Sequence, residues 1–436
     1  MHSFWRLLLP IFGLMGARLA GAGFGFLSQL ALARAFAPHE VGIAFLAISV
    51  TTFVSILLTG GYHTIGLTYL ARFEAWGRRR LRDAFLRAAL RDMSWLSGAA
   101  VLLACLLWLL PIERGIAAAA FWGTLAAVPV ALIRLNNSMA NAQRRFTLSY
   151  APDFVVRPAL LLGLIGMLIV LSANQSAMPV LVALPVIALA VAIGQGMMLG
   201  RDNVLARWRG AGADLRGHYR SRALAMLAVT IVSGATADLV VLIAGFLLSP
   251  AEVAVLGVGI RIAALVGFFA LASQQFVLRD LVAARSNADP AVLNRLLLRT
   301  NLAGAGTMAV AIGAALLLGN LVLALFGEAY RDAYLPMVIF LCSQGVRVLG
   351  GLNAQLLALS GHQIRSAALC IAALGLLVVA SMFLTPVLGI LGMAIATLVA
   401  EIFWAVSLAV LTQRLEGRRA DLFSGWPQHH FLIQQR

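Results

Sequence analysis

The sequence contains no lysine, because all 33 of its basic residues are arginine. The phosphate-binding loop GxxxxGK[ST] requires a lysine, so the chain lacks this loop and we expect it not to use ATP. Charged residues are also scarce, at 11%, whereas soluble domains contain about 25%. Apolar residues reach 61%. Soluble domains cannot bury that much apolar surface, which excludes a soluble enzyme, a disordered chain and a disulfide-rich secreted protein.

Long apolar segments follow one another along almost the whole chain. A helix that crosses the hydrocarbon core of a bilayer needs about 20 mostly apolar residues. The segments are continuous rather than alternating, which favours helices over a transmembrane barrel. We therefore predict an all-α integral membrane protein with about twelve transmembrane helices. The predicted spans are residues 8–33, 41–66, 93–111, 115–135, 156–173, 179–200, 223–248, 254–278, 301–323, 335–359, 367–384 and 387–412.

The arginines are distributed unevenly between the two sets of loops. About 26 of the 33 lie at the termini and in alternate loops, and residues 72–91 alone hold seven. Because basic residues in short loops stay in the cytoplasm, we predict that both termini are cytoplasmic. The net charge of +16 then indicates orientation, and we expect no nucleic-acid partner. A second interpretation is that arginines 78–80 bind anionic lipid headgroups.

The opposite set of loops is short, and the longest, near residues 326–334, has about ten residues. Such loops leave little room for a catalytic domain outside the membrane. The three cysteines have neither CxxC spacing nor metal-ligand partners, which indicates packing residues. We therefore expect a protein that is not an enzyme and that uses no cofactor or metal.

The chain contains a weak internal repeat. Pro-His-Glu-Val at 38–41 is matched by Pro-Ala-Glu-Val at 250–253, a spacing of 212 residues. In both, proline suits the first turn of a helix and the acidic residue favours the positive helix N-terminus. We predict two six-helix lobes, an N-terminal lobe of residues 1–212 and a C-terminal lobe of residues 213–436 that ends in a short cytoplasmic tail. An even number of spans per lobe gives both the same orientation.

Two stretches resemble the polysaccharide transporter (Wzx-like) family of the MOP flippase superfamily. The first stretch leads from the first span into the second, and the second stretch lies in the twelfth span. The matching residues are Leu32, Ala33, Arg34, Pro38, Glu40, Val41 and Gly42 in the first, and Pro386, Gly389, Gly392, Ala394, Ala396 and Glu401 in the second.

The resemblance implies a MATE-like V shape with alternating access between two six-helix lobes. It also implies a lipid-linked anionic oligosaccharide, carried on a polyprenyl pyrophosphate, as the substrate. The protein would move this lipid from the cytoplasmic to the periplasmic leaflet of a bacterial inner (plasma) membrane. The expected pathway makes surface polysaccharide such as O-antigen, capsule or exopolysaccharide. Its glycosyltransferases and polymerase are the implied partners, besides the lipid bilayer.

Two arginines are predicted near mid-membrane, where ionisable side chains are costly and mark candidate sites. Arg18 lies about 15 Å from the inner end of the first span, with Gln29 on the same face. Arg347 lies about 18 Å from the outer end of the tenth span, on a face shared with Gln344 and Gln355. We hypothesise that both arginines bind the pyrophosphate through forked hydrogen bonds in a shared cavity. The alternative is structural pairing of each with helix carbonyls or a carboxylate.

Asp238 and Arg261 lie about 15 Å and about 10 Å from the outer ends of two successive spans. Successive helices are usually neighbours, so the two side chains are candidates for a buried ion pair. Alternatively, Asp238 couples transport to an ion and Arg261 is a substrate-binding cation. Glu401, in the middle of the twelfth span, is a second ion-coupling candidate, or else a structural residue. Arg134, near the inner end of the fourth span, is expected to snorkel towards the cytoplasm.

Three functions are compatible with these features. The predicted cavity residues are mainly arginines, which favours an anionic lipid-linked sugar and a flippase that performs no bond chemistry. A multidrug or small-solute antiporter of the same superfamily is the first alternative, and a cavity dominated by carboxylates would favour it. A membrane polysaccharide polymerase or ligase is the second alternative, although such enzymes generally need a larger outer loop.

Overall fold

The computed structural model describes residues 20–111, 113–171, 176–207, 216–267, 290–360, 362–417 and 420–421. Within these residues the secondary structure is helical, with no strand. The helices are α1 (20–35), α2 (Pro38–Leu58), α3 (Tyr62–Ala75), α4 (Arg79–Trp108), α5 (Arg114–Ala142), α6 (Phe146–Val170), α7 (Met178–Leu199), α8 (Arg216–Gly234), α9 (Thr236–Leu247), α10 (Pro250–Gly267), α11 (Pro290–Phe326), α12 (Tyr334–Leu349), α13 (Asn353–Leu359), α14 (Gln363–Leu388) and α15 (Ile390–Glu416).

Ten of the described helices are long and apolar enough to cross a membrane. The pair α8 and α9, whose axes differ by 81°, would form an eleventh span. The first predicted span, 8–33, begins outside the described residues, which include its second part as α1. The prediction of an all-α, multi-pass membrane protein is thereby confirmed.

The described residues pack as two compact units. Unit one contains the described residues within Met1–Val258 and Val322–Ala333. Unit two contains the described residues within Gly259–Leu321 and Tyr334–Arg436. The predicted lobe boundary between residues 212 and 213 stays a prediction.

Helix α2 packs closely against α5 in the core of unit one. Val41, Ala44 and Phe45 on α2 are fully buried. Gly123 on α5 allows the close approach, since a Cβ there would lie 2.7 Å from the carbonyl oxygen of Ala47. Small residues at such crossings let helix backbones come together in a membrane, where apolar side chains alone give little preference for a partner.

The second predicted span ends earlier than the hydropathy indicates. Helix α2 stops at Leu58, and Gly60 and Gly61 adopt positive φ angles of 53° and 82° before α3 starts. Glycine adopts this conformation without steric cost. A Cβ on Gly61 would also lie 1.9 Å from the carbonyl oxygen of Ala223. The prediction of one helix over 41–66 is wrong beyond Leu58, because the apolar content of a segment does not indicate a turn within it.

The tenth predicted span, 335–359, is broken as well. Gly351 has a φ of 63° and separates α12 from α13. The chain segment near the C-terminus fills this break, since the amide of Leu352 donates to the carbonyl of Ala420 at 3.1 Å. The amide of Ala420 in turn donates to Oδ1 of Asn353 at 3.0 Å. This backbone-to-tail pairing satisfies polar groups that the helix break exposes.

Both repeated tetrapeptides begin helices, as their sequence predicts. Pro38 starts α2 and Pro250 starts α10. The two acidic residues accept bonds from helix N-termini by different routes. Glu252 accepts from the amide of Ser249 at 2.9 Å, whereas Glu40 accepts from the amide of Ala177, just before α7, at 2.6 Å. Each thus satisfies an amide that a helix start leaves without an internal partner.

Candidate intramembrane sites

Arg347 and Glu401 form a buried ion pair within unit two. Nη2 of Arg347, near the end of α12, donates to Oε1 of Glu401 in α15. The two side chains are only 10% and 5% exposed. The guanidinium carbon also lies 6.0 Å from the ring centre of Trp404, about one turn along α15. The structure therefore pairs a predicted substrate-binding cation with a predicted ion-coupling carboxylate. Pairing with a carboxylate was the alternative interpretation of Arg347.

The other predicted residues of unit two lie on three helices. Gln344, one turn before Arg347 on α12, is partly buried and faces α10, where a Cβ on Gly267 would lie 2.6 Å from its Oε1. Arg261 is partly buried on α10. Gln355 belongs to α13, and nothing is described of its side chain. Because the break at Gly351 separates α12 from α13, the prediction that Gln344, Arg347 and Gln355 share one continuous helical face is wrong.

Unit one contains a second charged centre. Arg134 on α5 is partly buried, and its Nε donates to Oγ of Ser55 on α2 at 3.0 Å. On α6, Nη2 of Arg157 lies 3.0 Å from Oδ1 of Asp153, whose side chain is 9% exposed. Arg134 interacts electrostatically with Asp153, Arg157 and Asp238. The expectation that Arg134 snorkels is therefore wrong, because its guanidinium is held among polar groups of unit one.

His63 interacts electrostatically with Arg134 and Asp153, and hydroxyl groups contact both of its ring nitrogens. Its Nδ1 lies 2.6 Å from Oγ1 of Thr59, and its Nε2 lies 3.2 Å from Oγ1 of Thr64. The single hydroxyl proton of Thr59 is donated to the carbonyl of Ile56, so Nδ1 is the donor to Thr59. Thr64 also lies 2.9 Å from Thr230 on α8. These polar contacts connect α2, α3 and α8.

The α6 pair lies at an irregular turn of its helix. Residues Pro152–Val156 form one π-helical turn, a feature that is frequent at functional sites. Asp153 escaped the sequence prediction because the fifth span was predicted to begin at residue 156, and Arg157 lay at the very start of that span. The available signal was an acidic and a basic residue at i and i+4, between Pro152 and Pro158.

Asp238 lies at a break between helices. Helix α8 ends at Gly234 and α9 begins at Thr236, with Asp238 in the first turn of α9. A carboxylate is favoured there by the helix dipole, and discontinuous helices often form the binding sites of transporters. Asp238 belongs to unit one and Arg261 to unit two. Their predicted ion pair stays a prediction.

The last two predicted residues belong to the first span. Arg18 lies outside the described residues. Gln29 is partly buried on α1, and its assignment to the substrate site stays a prediction. Among the described residues, no three His, Cys, Asp or Glu side chains form a group suited to holding a metal ion.

No protein-family model matches the sequence, and no curated protein matches it either. Solved structures do match over most of the chain. The inward-facing form of a multidrug resistance MATE family transporter of the MOP superfamily has a TM-score of 0.73 at 14% identity, covering 90% of this chain and 94% of that one. The lipid II flippase MurJ, in an inward closed conformation, has a TM-score of 0.72 at 13% identity, covering 92% and 87%.

The MATE multidrug transporter DinF-BH, in complex with R6G, has a TM-score of 0.66 at 15% identity, covering 93% of this chain and 95% of that one. These neighbours are transporters and a flippase rather than enzymes. The chain therefore has the fold of MOP-superfamily transporters, which confirms the predicted fold class. Membership of the Wzx-like family stays a prediction, since identities of 13–15% carry the fold and no more.

Proposed function

We propose that this protein is a flippase for a polyprenyl-pyrophosphate-linked oligosaccharide. It moves this lipid from the cytoplasmic to the periplasmic leaflet of a bacterial inner membrane by alternating access, and it serves surface-polysaccharide synthesis. The fold supports transport, since its solved neighbours include a lipid II flippase. The glycosyltransferases and polymerase of such a pathway would be its functional partners.

The observation that carries the proposal is the position of Arg347. A guanidinium is costly inside a membrane protein and is retained there when it has a partner or a task. Arg347 is 10% exposed, has Glu401 as a partner and lies near the face of Trp404. Its planar fork suits a phosphate, which it binds through two parallel hydrogen bonds. We propose that Arg347 binds the pyrophosphate, with Arg261, Arg18 and the glutamines as further contacts.

A multidrug antiporter is a second candidate, because the matching structures include multidrug transporters. The observation that favours it is the pair of carboxylates in unit one, Asp153 and Asp238, both within electrostatic reach of Arg134. Carboxylates suit a cationic drug, whereas the guanidinium of Arg347 repels one. The substrate's charge therefore separates the two candidates.

Flipping is tested with the full-length protein in proteoliposomes. A fluorescent oligosaccharide on a polyprenyl pyrophosphate is placed in the bilayer, and a quencher that cannot cross the membrane reports the labelled lipid that reaches the outer leaflet. We expect Arg347→Gln to reduce the rate at least about tenfold, since a charge-assisted bond to the phosphate contributes about 1.5–3 kcal/mol. Arg365→Gln is the matched control, because Arg365 is exposed in the same unit.

The same vesicles distinguish the alternative. Uptake of the lipophilic cation rhodamine 6G, driven by an ion gradient, is measured beside flipping. Flipping that depends on Arg347, without transport of the cation, supports the proposal. Cation transport without flipping refutes the proposal in favour of the antiporter.

A further inference from the structure

Glu401 differs from an ordinary structural partner of a buried arginine in the way its two oxygens are used. Its Oε1 accepts from Nη2 of Arg347. Its Oε2 is buried and accepts no hydrogen bond from any residue that the structure describes. A buried carboxylate oxygen without a donor is costly, so a fully structural pair would be expected to satisfy both. Only one of the two carboxylate oxygens therefore binds the guanidinium.

Few other titratable groups surround the pair within the part of the chain that the structure describes. Helix α15 packs against α12, α13 and α14. On α12 the titratable group that faces Glu401 is the guanidinium of Arg347. On α14 it is the thiol of Cys370, which interacts with Glu401 and with Trp404. Helix α13 has no titratable residue. Among the described residues, Arg347 is therefore the main charged neighbour of Glu401.

The carboxylate and a bound phosphate require the same donors. A guanidinium has five N–H groups in a fixed fork, and its forked bonds to a carboxylate use the same edges as those to a phosphate. With Glu401 ionised and no ligand bound, the pair is neutral, which lowers the cost of burying the cation. A pyrophosphate carries more than one negative charge, so it can replace a single carboxylate at the guanidinium. A neutral or zwitterionic lipid cannot.

We propose that Glu401 is an internal counter-anion, which the pyrophosphate of the substrate displaces from Arg347. This inference rests on the proposed function. It makes Glu401 a specificity-determining residue that limits affinity, so that multiply charged anions bind and are still released.

The test measures binding of farnesyl pyrophosphate, a short probe with the same headgroup chemistry, to the purified full chain in detergent. We expect Glu401→Gln to bind it at least about tenfold more tightly than the wild type does at neutral pH, because one charge-assisted bond no longer has to be broken.

Arg347→Gln should lose most of the binding, and the double variant should resemble Arg347→Gln rather than show the sum of both effects. Glu401→Asp keeps the charge but shortens the reach, so its carboxylate should compete less well for the guanidinium than that of Glu401. An affinity between those of wild type and Glu401→Gln therefore supports competition. Thermal unfolding of each variant identifies loss of folding, and Glu401→Asp provides the measurement if Glu401→Gln does not fold.

The outcomes separate the two proposals. Binding that requires Arg347 but is unchanged in Glu401→Gln overturns the counter-anion role and leaves the proposed function standing. Equal binding by wild type, Arg347→Gln and Glu401→Gln overturns the assignment of Arg347 and the inference together.

Discussion

Arg82 is a buried cation near the start of α4, and we predict that Arg82→Gln destabilises unit one. Its Nη1 lies 2.7 Å from Oε1 of Glu74 and 3.7 Å from Oδ1 of Asp202, and its Nε lies 3.1 Å from Oδ1 of Asp83. The Arg82 side chain is only 7% exposed. It thus joins α3 and α4 to the segment that follows α7.

The expected loss follows from these distances. A hydrogen bond to a charged group contributes about 1.5–3 kcal/mol, and Arg82 makes two of them. Glutamine can keep one neutral bond. The acids are 23–36% exposed, so water compensates part of the charge that they lose. We expect the free energy of unfolding to fall by about 2–4 kcal/mol, near the lower end of the cost of breaking a buried ion pair.

The measurement is equilibrium unfolding of the full chain in mixed detergent micelles, followed by tryptophan fluorescence. Arg80→Gln is the matched control, because Arg80 is exposed on the same helix and its replacement removes the same topological charge. That variant should stay within about 0.5 kcal/mol of the wild type. Equal effects of Arg82→Gln and Arg80→Gln would show that the carboxylates around Arg82 contribute nothing specific.

Two glycine substitutions test the packing of each unit. In unit one, Gly42→Ala should lower the melting temperature, since a Cβ there would lie 1.7 Å from the carbonyl oxygen of Pro250 and such overpacking costs about 1–3 kcal/mol. In unit two, Gly351→Ala should speed proteolysis of the C-terminal segment, because its positive φ and a clash with the carbonyl of Ala420 disfavour the docked backbone. Gly98→Ala is the control for both: outside its own stretch of helix backbone, no atom lies within 4 Å of the added Cβ, so stability should rise slightly. A decrease in Gly98→Ala as large as in the other two would refute the packing argument.

The sequence predicts the helices well and their interruptions poorly. Hydropathy locates the spans because the bilayer requires long apolar runs. The proline and acidic residues at 38–41 and 250–253 locate two helix starts because their chemistry is local. The interruptions after Leu58, at Ala235 and at Gly351 lie inside apolar segments, where averaging over a window removes the signal. Their cause is tertiary: at Gly351 the backbone turns where another segment of chain meets it.

The candidate sites show a similar division. The cost of charge inside a membrane singled out Arg347 and Glu401 separately. Their pairing could not be predicted, since 54 residues separate them and spacing on one helix says nothing about a neighbour on another. Asp153 was missed for a different reason, because a charged residue near a predicted helix end is normally assigned to the interface.

The contrast between exposed and buried arginines also constrains how ions can be coupled to transport. Arginine remains protonated in proteins, so the guanidiniums of Arg134 and Arg347 stay positive throughout any transport cycle. A chain without lysine has no other strongly basic side chain to release a proton inside the membrane. If protons drive transport, the carboxylates that lie beside these arginines are the groups to test. Within the described residues these are Glu401 in unit two, and Asp153 and Asp238 in unit one. Their proximity to fixed positive charge means that each protonation step changes how strongly a guanidinium can attract an anion.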